Sequence, residues 1–382
     1  MSNLLYITNI GGKRMSYNFV GSAIEAAHEL NLNFYSACNR LQSTSEDIHL
    51  DEKQFNVHLL HIDLSRNPFS KQNLKAYNQL CRIIVENKID YIHCNTPVGG
   101  ILGRFAGKKC KVKKVIYQAH GFHFYKGAPK LNWLVYYPIE RLLAHWTDAL
   151  ITINQEDYQA AQNFKLRNNG HVYYVPGVGI NLSEYENIHI NRTAKRSTLG
   201  LSEKDFVLLS AGRLDYNKNN ATIIKAVAKL NNPRVHFVLC GDGTERQTLS
   251  KLAETLKISD QIHFLGNRSD MKELYCIADV FVMASFREGL SRSIMEAMAC
   301  GLPCIVSRIR GNVDLIQDSI NGLLCEPGNF GDYADAITRL LENVDLRTTM
   351  SHENLIKIKD FDIIQVTEDM KRIYCATYNS KL

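Results

Sequence analysis

This 382-residue chain lacks most of the features that mark a secreted, membrane-spanning or metal-built protein. Its ten cysteines are scattered, with no C-x-x-C pair and no Cys/His cluster at zinc spacing. That argues against a disulfide framework and for reduced, mostly buried thiols in a cytosolic protein. No apolar run is long enough to span a bilayer, and the first one, Leu4–Leu5–Tyr6–Ile7, is too short for a signal-peptide core before it meets Gly11–Gly12. G-x-G-x-x-G is absent too: Gly11, Gly12 and Gly21 have the wrong spacing, which removes an NAD-type fingerprint. The lone D-x-D triplet, Asp360–Phe361–Asp362, sits near the C-terminus, remote from any predicted strand end, and reads as a turn and helix cap. No metal, no other cofactor and no nucleic-acid partner is expected. Neither a short internal repeat nor a low-complexity tract is present.

What the chain does have is an ordinary globular composition, 45% hydrophobic and 22% charged. The length suits two domains, each large enough for its own core. Charge is uneven: residues 1–180 hold 20 Lys plus Arg against 13 Asp plus Glu, a net +7, and the remainder holds 25 against 26, or −1. The first half alternates short apolar runs with helical patterns. Strands are predicted at Leu4–Thr8, Asn33–Ala37, Val57–His61, Ile89–Cys94, Val115–Ala119, Ala149–Asn154 and Val172–Pro176, and helices over Ser22–Leu30 and Lys71–Asn87. Polar, irregular Gly177–Ser202 suits an interdomain linker. A second set follows, with strands at Val207–Ala211, Val235–Cys240, Ile262–Leu265, Val280–Ala284 and Pro303–Ser307. Helices at Ala221–Leu230, Glu245–Leu256, Met271–Cys276 and Arg292–Ala299 alternate with them, and more follow Asn329. This βαβ rhythm predicts an α/β protein of two Rossmann-like, doubly wound domains, 1–180 and 190–360, with a C-terminal helix over 361–382. In such sheets ligands bind outside the carboxyl ends of the strands, so a cleft between facing domains is the expected site.

The densest chemistry runs from Ala284 to Gly301, A-S-F-R-E-G-L-S-R-S-I-M-E-A-M-A-C-G. Glu288 and Glu296 flank a strand-to-helix turn eased by Gly289, with Ser291 placed as the helix N-cap. Backbone N–H groups from Leu290 to Ser293 favour an anion such as a diphosphate. A carboxylate accepts two hydroxyl bonds at once, so one Glu can grip a ribose diol and the other a hexose. The pattern points to a nucleotide sugar. Arg213 and Lys218 follow the strand Val207–Ala211 and would neutralise a departing β-phosphate without proton transfer. Gly241–Asp242–Gly243 and Arg268 follow the next two strands. In the first half, the Gly11–Gly12 turn lets backbone approach a phosphate closely, and His120 opens H-G-F-H-F-Y at a strand's carboxyl end, with His123 as its competitor.

These segments together resemble the signature of the retaining GT-B glycosyltransferases of family 4, particularly bacterial enzymes that build capsule, exopolysaccharide and lipopolysaccharide. The resemblance rests on E-G-L-S-R-S-I-M-E-A-M-A-C-G-L-P from Glu288, S-R-I-R-G-N-V-D-L-I from Ser307 and N-G-L-L from Asn321. Gly11–Gly12, H-G-F-H-F-Y from His120, A-G-R-L-D-Y-N-K-N from Ala211, G-D-G-T-E-R from Gly241 and F-L-G-N-R from Phe264 extend it over nearly the whole chain. It implies that Arg213 and Lys218 stabilise the leaving diphosphate, that Glu288 serves the sugar and its phosphate, and that Glu296 holds ribose. His120 would bond the transferred sugar, Gly11–Gly12 would lie on the diphosphate and acceptor side, and the Gly241–Asp242–Gly243 and Arg268 loops would enclose base and ribose. Retention is also implied, by an internal-return path in which the departing phosphate takes the acceptor's proton. The implied reaction moves a hexose or N-acetylhexosamine from a UDP-sugar to a lipid-linked saccharide, and the implied C-terminal helix crosses back to the first domain. A sugar-nucleotide 2-epimerase shares the architecture, and a catalytically silent glycan-binding protein is the other rival. The joint presence of Glu288, Glu296, Arg213, Lys218 and His120 favours the transferase.

One further segment stands out. Lys108, Lys109, Lys111, Lys113 and Lys114 form a dense cluster, Lys126 and Lys130 follow, and Leu131–Trp146 is aromatic-rich with few charges. It reads either as an element that rests on an anionic membrane, placing the protein peripherally on the cytoplasmic face, or as a core helix bent at Pro138 beside solvent-facing lysines.

Overall fold

The computed structural model describes residues 1–378. The chain divides into two compact units: Met1–Gly179 together with the segment from Ile363 onward, and Ile180–Asp362.

The first unit is built on seven strands: β1 (Ser2–Ile7), β2 (Leu32–Cys38), β3 (His58–His61), β4 (Tyr91–Asn95), β5 (Lys114–Ala119), β6 (Ala149–Thr152) and β7 (His171–Tyr174). All neighbours pair parallel, in the order β3-β2-β1-β4-β5-β6-β7. Helices α1 (Tyr17–Glu29), α2 (Ser45–Phe55), α3 (Gln72–Glu86), α4 (Pro97–Lys109), α5 (Lys130–Ala144) and α6 (Gln155–Ala161) form the crossovers. Because side chains alternate along a strand, β1 feeds two cores: Leu5 and Ile7 enter one, Leu4 and Tyr6 the other.

The second unit repeats the scheme with α7 (Arg192–Ser197), β8 (Phe206–Ala211), α8 (Asn220–Leu230), β9 (Val235–Cys240), α9 (Arg246–Thr255), β10 (Ile262–Gly266), α10 (Met271–Ile277) and β11 (Val280–Met283). α11 (Arg292–Ala299), β12 (Cys304–Ser307), α12 (Asn312–Leu315), β13 (Gly322–Cys325), α13 (Phe330–Glu342) and α14 (Val344–Lys357) complete it. Its parallel order is β10-β9-β8-β11-β12-β13. In each sheet the strand order reverses once, between β1 and β4 and between β8 and β11. A doubly wound sheet opens its binding crevice at that point, on the carboxyl side of the strands.

The last helix, α15 (Ile363–Tyr378), belongs to the first unit. Val366, Met370, Ile373 and Tyr374 join the core that holds Leu4 and Tyr6, Tyr374 Oη lies 2.7 Å from His93 Nδ1, and Tyr378 stacks on Tyr91 at 4.0 Å. The sequence pattern starts this helix at 361; residues 358–361 instead form a short 3-10 turn, and 379–382 lie outside the described residues. Asp360 in that turn pairs with Lys357 at 2.8 Å.

Two expectations need correction. The stretch 177–202 is not irregular throughout: α7 carries Arg196, whose buried guanidinium bonds the Ile277 carbonyl and Asp279, so most of the supposed linker is packed onto the second unit. The core-helix reading of Leu131–Trp146 also fails. α5 runs unbroken through Pro138 and buries only Leu143 and Ala144, leaving Leu131, Trp133, Leu134, Val135, Tyr136, Ile139 and Leu142 exposed. A buried ion pair, Arg104 Nη1 to Glu140 Oε2 at 2.8 Å, tethers it. The lysines before it are not all unengaged, since Lys113 pairs with Asp90 at 2.6 Å, Lys114 with Asp148 at 3.7 Å, and Lys108 caps the Trp146 ring at 3.8 Å. Among the described residues no helix is long and apolar enough to cross a membrane.

Candidate functional site

In the second unit, the loops that leave β8 and β11 converge at the reversal point. Asp215 caps a 3-10 turn at Tyr216–Lys218 by accepting from Lys218 N at 3.1 Å, which sets the lysine's direction. Lys218 Nζ then donates to Glu288 Oε1 at 2.8 Å, with the Lys218 and Glu288 side chains only 21% and 14% exposed. Backbone latches hold the two loops in register: Asn217 Nδ2 donates to Arg287 O at 2.9 Å, Asn219 Nδ2 to Ala284 O at 3.1 Å, and Phe286 N to Asn217 O at 2.9 Å. Arg213 is brought to the same loop but differs in setting, being 76% exposed and paired with Asp215 at 2.8 Å.

Glu296 sits one turn into α11 and has both oxygens engaged. Oε1 accepts from Arg292 Nε at 2.9 Å and Oε2 from Tyr275 Oη at 3.0 Å. Burial, reinforced by Glu296, pushes the Tyr275 phenol well above its ordinary range, so this hydroxyl stays protonated and donates. Ser291 occupies the N-cap position, yet its side chain does not cap the helix; Oγ turns to Ser293 Oγ at 3.1 Å and Met283 Sδ at 3.7 Å. The backbone donors of the first turn are therefore not consumed by their own cap. Leu290 and Gly289 lead into this turn, and Gly311 backs it so closely that a Cβ there would lie 2.2 Å from the Gly289 oxygen.

The loop after β9, Gly241–Asp242–Gly243, presses on the loop after β8: a Cβ on Gly241 would meet the Gly212 oxygen at 1.9 Å, and Gly241 has φ +133°. Only glycine allows that approach. Arg268, after β10, has its guanidinium turned onto Asp270 at 2.8 and 2.6 Å, which with Lys195 holds that carboxyl well below the usual carboxylate range.

In the first unit, Gly11–Gly12 follow β1 and His120 follows β5, both on the carboxyl side of the sheet. His120 Nε2 lies 2.9 Å from Asn95 Oδ1 and its ring packs on Phe19 at 4.7 Å. Burial pushes its pKa down to about 4, so the imidazole is neutral at pH 7. An amide oxygen only accepts, hence the proton sits on Nε2 and Nδ1 is left as an acceptor. His123 instead stacks on Tyr136 at 4.6 Å.

Sequence reasoning missed Tyr275, Arg292, Asn217, Asn219, Asn95 and Arg310, whose Nε reaches Glu288 O at 3.4 Å. The run N-K-N-N after Tyr216 was the available signal for the two asparagines, since side-chain amides in a turn commonly bond backbone. Among the described residues no group of three His, Cys, Asp or Glu is arranged to hold a metal ion.

The family described as "Glycosyl transferases group 1" matches residues 191–355, and "Glycosyl transferase 4-like" matches residues 25–154. The putative glycosyltransferase EpsD of Bacillus subtilis is 38% identical over 320 residues, covering 82% of this chain and 84% of that one. The UDP-Gal:alpha-D-GlcNAc-diphosphoundecaprenol alpha-1,3-galactosyltransferase of Escherichia coli is 29% identical over 316 residues, covering 81% of each. Among solved structures, Anabaena HepE in complex with UDP and glucose matches with a TM-score of 0.79 at 20% identity, over 98% of this chain and 100% of that one. Sucrose-phosphate synthase from Thermosynechococcus elongatus matches at 0.81 and 17% identity over the whole of both chains. With two reversed parallel sheets of this order and relatives at this identity, the chain belongs to the group 1, 4-like glycosyltransferases and has their GT-B fold.

Proposed function

We propose that this glycosyltransferase moves a hexose or N-acetylhexosamine from a UDP-sugar, with retention of configuration, to a lipid-linked saccharide in cell-surface polysaccharide assembly. The observation that carries the reading is the Lys218–Glu288 pair at the reversal point of the second sheet. A sugar diphosphate gains negative charge on its leaving phosphate as the glycosidic bond breaks. Lys218 and Arg213, placed in advance, stabilise that charge, and Glu288 holds both the lysine and the sugar's hydroxyls. Glu296 takes the ribose diol, the first turn of α11 from Leu290 to Ser293 takes the diphosphate, and the Gly241–Asp242–Gly243 and Arg268 loops take the base side. His120 Nδ1 accepts from a hydroxyl of the transferred sugar, and Gly11–Gly12 serves the diphosphate and acceptor side. The departing phosphate receives the acceptor's proton. The E. coli relative's name, with its UDP-Gal donor and diphosphoundecaprenol acceptor, supports the choice of donor and acceptor.

A lipid-linked acceptor requires a membrane surface, and the first unit supplies one face suited to it. Residues 97–146 hold nine Lys or Arg against a single acid, Glu140, which Arg104 already neutralises. Leu131, Leu134, Val135 and Leu142, at helical spacing, point outward from α5. In this reading that face rests peripherally on anionic lipid at the cytoplasmic side, with each nearby cation contributing about 1 kcal/mol.

The test is a thermal-shift screen of UDP- and GDP-sugars, followed by transfer of the best donor's labelled sugar to a polyprenyl-diphosphate saccharide and NMR of the new anomeric centre. A ligand at a hundred times its Kd adds about 2.7 kcal/mol. Release of free sugar without any acceptor product would point to the epimerase, and an inverted anomer would overturn the mechanism.

A further inference from the structure

A buried cation without a counter-ion sits at the carboxyl edge of the first sheet. Arg40 follows β2 and is 5% exposed. Its backbone is engaged, the N–H to His61 Nδ1 at 3.1 Å and the oxygen from Ser43 N at 3.0 Å. Its guanidinium has no ion pair or hydrogen bond to any described residue, and Nε is fully buried and unpartnered. The two buried arginines with recorded carboxylate partners show the contrast: Arg104 has Glu140, and Arg196 has Asp279 with the carbonyls of Ile277, Ser202, Glu203 and Asp205. Nor are the flanking carboxylates available. Asp51 accepts from Arg14 Nε at 2.6 Å and Met15 N at 2.7 Å, and Asp47 closes the capping box with Thr44.

Arg40 lines a cavity of about 10 Å³ together with Thr8, Gly11, Gly12, Arg14 and Ser16, and no acidic side chain borders it. That volume is about the least that holds one water-sized group. On its rim, the backbone N–H groups of Gly11, Gly12 and Arg14 donate to no described acceptor. Gly11 lies so close to Arg40's own loop that a Cβ would meet the Asn39 oxygen at 2.0 Å. Burying an unpaired guanidinium is strongly unfavourable unless a ligand completes it, and a planar N–H fork suits a phosphate oxygen.

We infer that Arg40 is the buried half of an oxyanion site that takes one phosphate oxygen over the Gly11–Gly12 turn. The phosphate comes either from the lipid-linked acceptor or from the nucleotide-sugar donor, and naming these two sources rests on the function proposed above.

The binding test does not depend on that function. In the full-length chain, the Arg40 Nε–H resonance is identified by its loss in Arg40→Met, and inorganic pyrophosphate is titrated in. The resonance is expected to shift and saturate. Arg40→Met is expected to fold and to melt no lower than wild type, because it removes an uncompensated cation. Steady-state kinetics then separate the sources: a rise in KM of about tenfold, the loss of one charge-assisted hydrogen bond, falls on the lipid-diphosphate acceptor if the oxygen is the acceptor's and on the UDP-sugar if it is the donor's. Arg40→Lys should recover part of that loss. The proposal is overturned if the Nε–H resonance stays fixed while pyrophosphate shifts others, or if Arg40→Met leaves both KM values unchanged. It is also overturned if Arg40→Met melts well below wild type with Arg40→Lys doing the same, which would mark the residue as structural.

Discussion

Lys218 Nζ and Glu288 Oε1 stand 2.8 Å apart, so the loop after β8 and the loop after β11 are joined by a charge pair at the reversal point of the sheet. Each side chain holds the other in place, and the pair presents a cation backed by a carboxylate rather than two independent charges.

Substitution of either partner should therefore be non-additive. Lys218→Ala is expected to lower kcat by about a hundredfold, roughly 3 kcal/mol, with a smaller change in donor KM. Glu288→Ala should also act mainly on kcat. The double variant should cost clearly less than the two losses combined, since the second substitution removes a group already misplaced. Simple additivity in kcat would mean that the two side chains act apart.

Glu296 is held between Arg292 and Tyr275. We expect Glu296→Ala to raise the Kd for UDP at least about tenfold, the scale of a charge-assisted hydrogen bond, with kcat at saturating donor changing less. Tyr275→Phe should weaken UDP in the same direction by a smaller factor while leaving the carboxylate present. Titration calorimetry reads both, and unchanged UDP affinity in Glu296→Ala would remove its ribose role.

Two histidines of the first unit make stability depend on pH. Burial pushes His120 down to about 4 and, joined by the neighbouring His120, His93 to about 3, from an ordinary 6.5. A depressed pKa means the unfolded chain binds the extra protons, so this stability is complete above about 6.5 and lost progressively as pH falls toward 4. Denaturant midpoints should be level from pH 8 to 7 and decline from 6.5 downward, and His120→Gln should flatten the upper part of that decline. A midpoint independent of pH across 6.5 to 4.5 would contradict the burial of both rings.

The tether under α5 is a buried ion pair, Arg104 with Glu140. Glu140→Ala leaves the guanidinium uncompensated and should cost about 3 to 5 kcal/mol of stability in urea unfolding. Joining it to Arg104→Met should restore much of the loss. A double variant no better than the single would show that the charge is not the cause.

For the outward face of α5, replacing Leu131, Leu134 and Leu142 by Ser should weaken binding to anionic vesicles without lowering the melting temperature, because none of the three is buried. Raising salt from about 0.1 to 0.5 M should weaken wild-type binding as well, by screening the cations. Substituting Lys113 and Lys114 should matter less than substituting Lys109 and Lys111, since the first two are already paired with Asp90 and Asp148. Vesicle flotation unaffected by both leucine loss and salt would discard the membrane surface.

Most elements that bury an apolar set were legible from the chain, but β13 was not: its N-G-L-L run reads as a motif only, although Leu323 and Cys325 enter the core of the second unit. Val235–Cys240 and Arg292–Ala299 coincide with β9 and α11 to the residue, and the other predicted strands differ by one or two positions at their ends. Elements held by other means were not. α2 reads S-E-D-I-H-L-D-E-K-Q-F, fully buries only Asp47 and Asp51 and offers the core just half-buried Ile48 and Phe55, too short a stripe to read; its clearer signal was Thr44 three residues before Asp47. α4 carries glycines at 99, 100, 103 and 107, ordinarily breakers, but here they let the helix lie against Tyr117, Cys94 and Val115. At the site, residue types and spacing pointed to Glu288, Glu296, Arg213 and Lys218. Which of these are already paired, and by whom, depends on contacts such as Tyr275 to Glu296 that no local pattern encodes.

α15 gives the chain an unusual order of completion. The second unit is contiguous, Ile180–Asp362, and all of it leaves the ribosome before the helix that supplies Val366, Met370, Ile373 and Tyr374 to the first unit's core. During synthesis the unit that begins first must therefore wait with one face of its sheet unsealed, around Leu4, Tyr6 and the Tyr91 ring, while the later unit finishes. A released chain cut short at Asp362 would hold every residue of the second unit and leave the first unit's core open where α15 packs, the kind of exposed apolar surface that proteases and chaperones recognise.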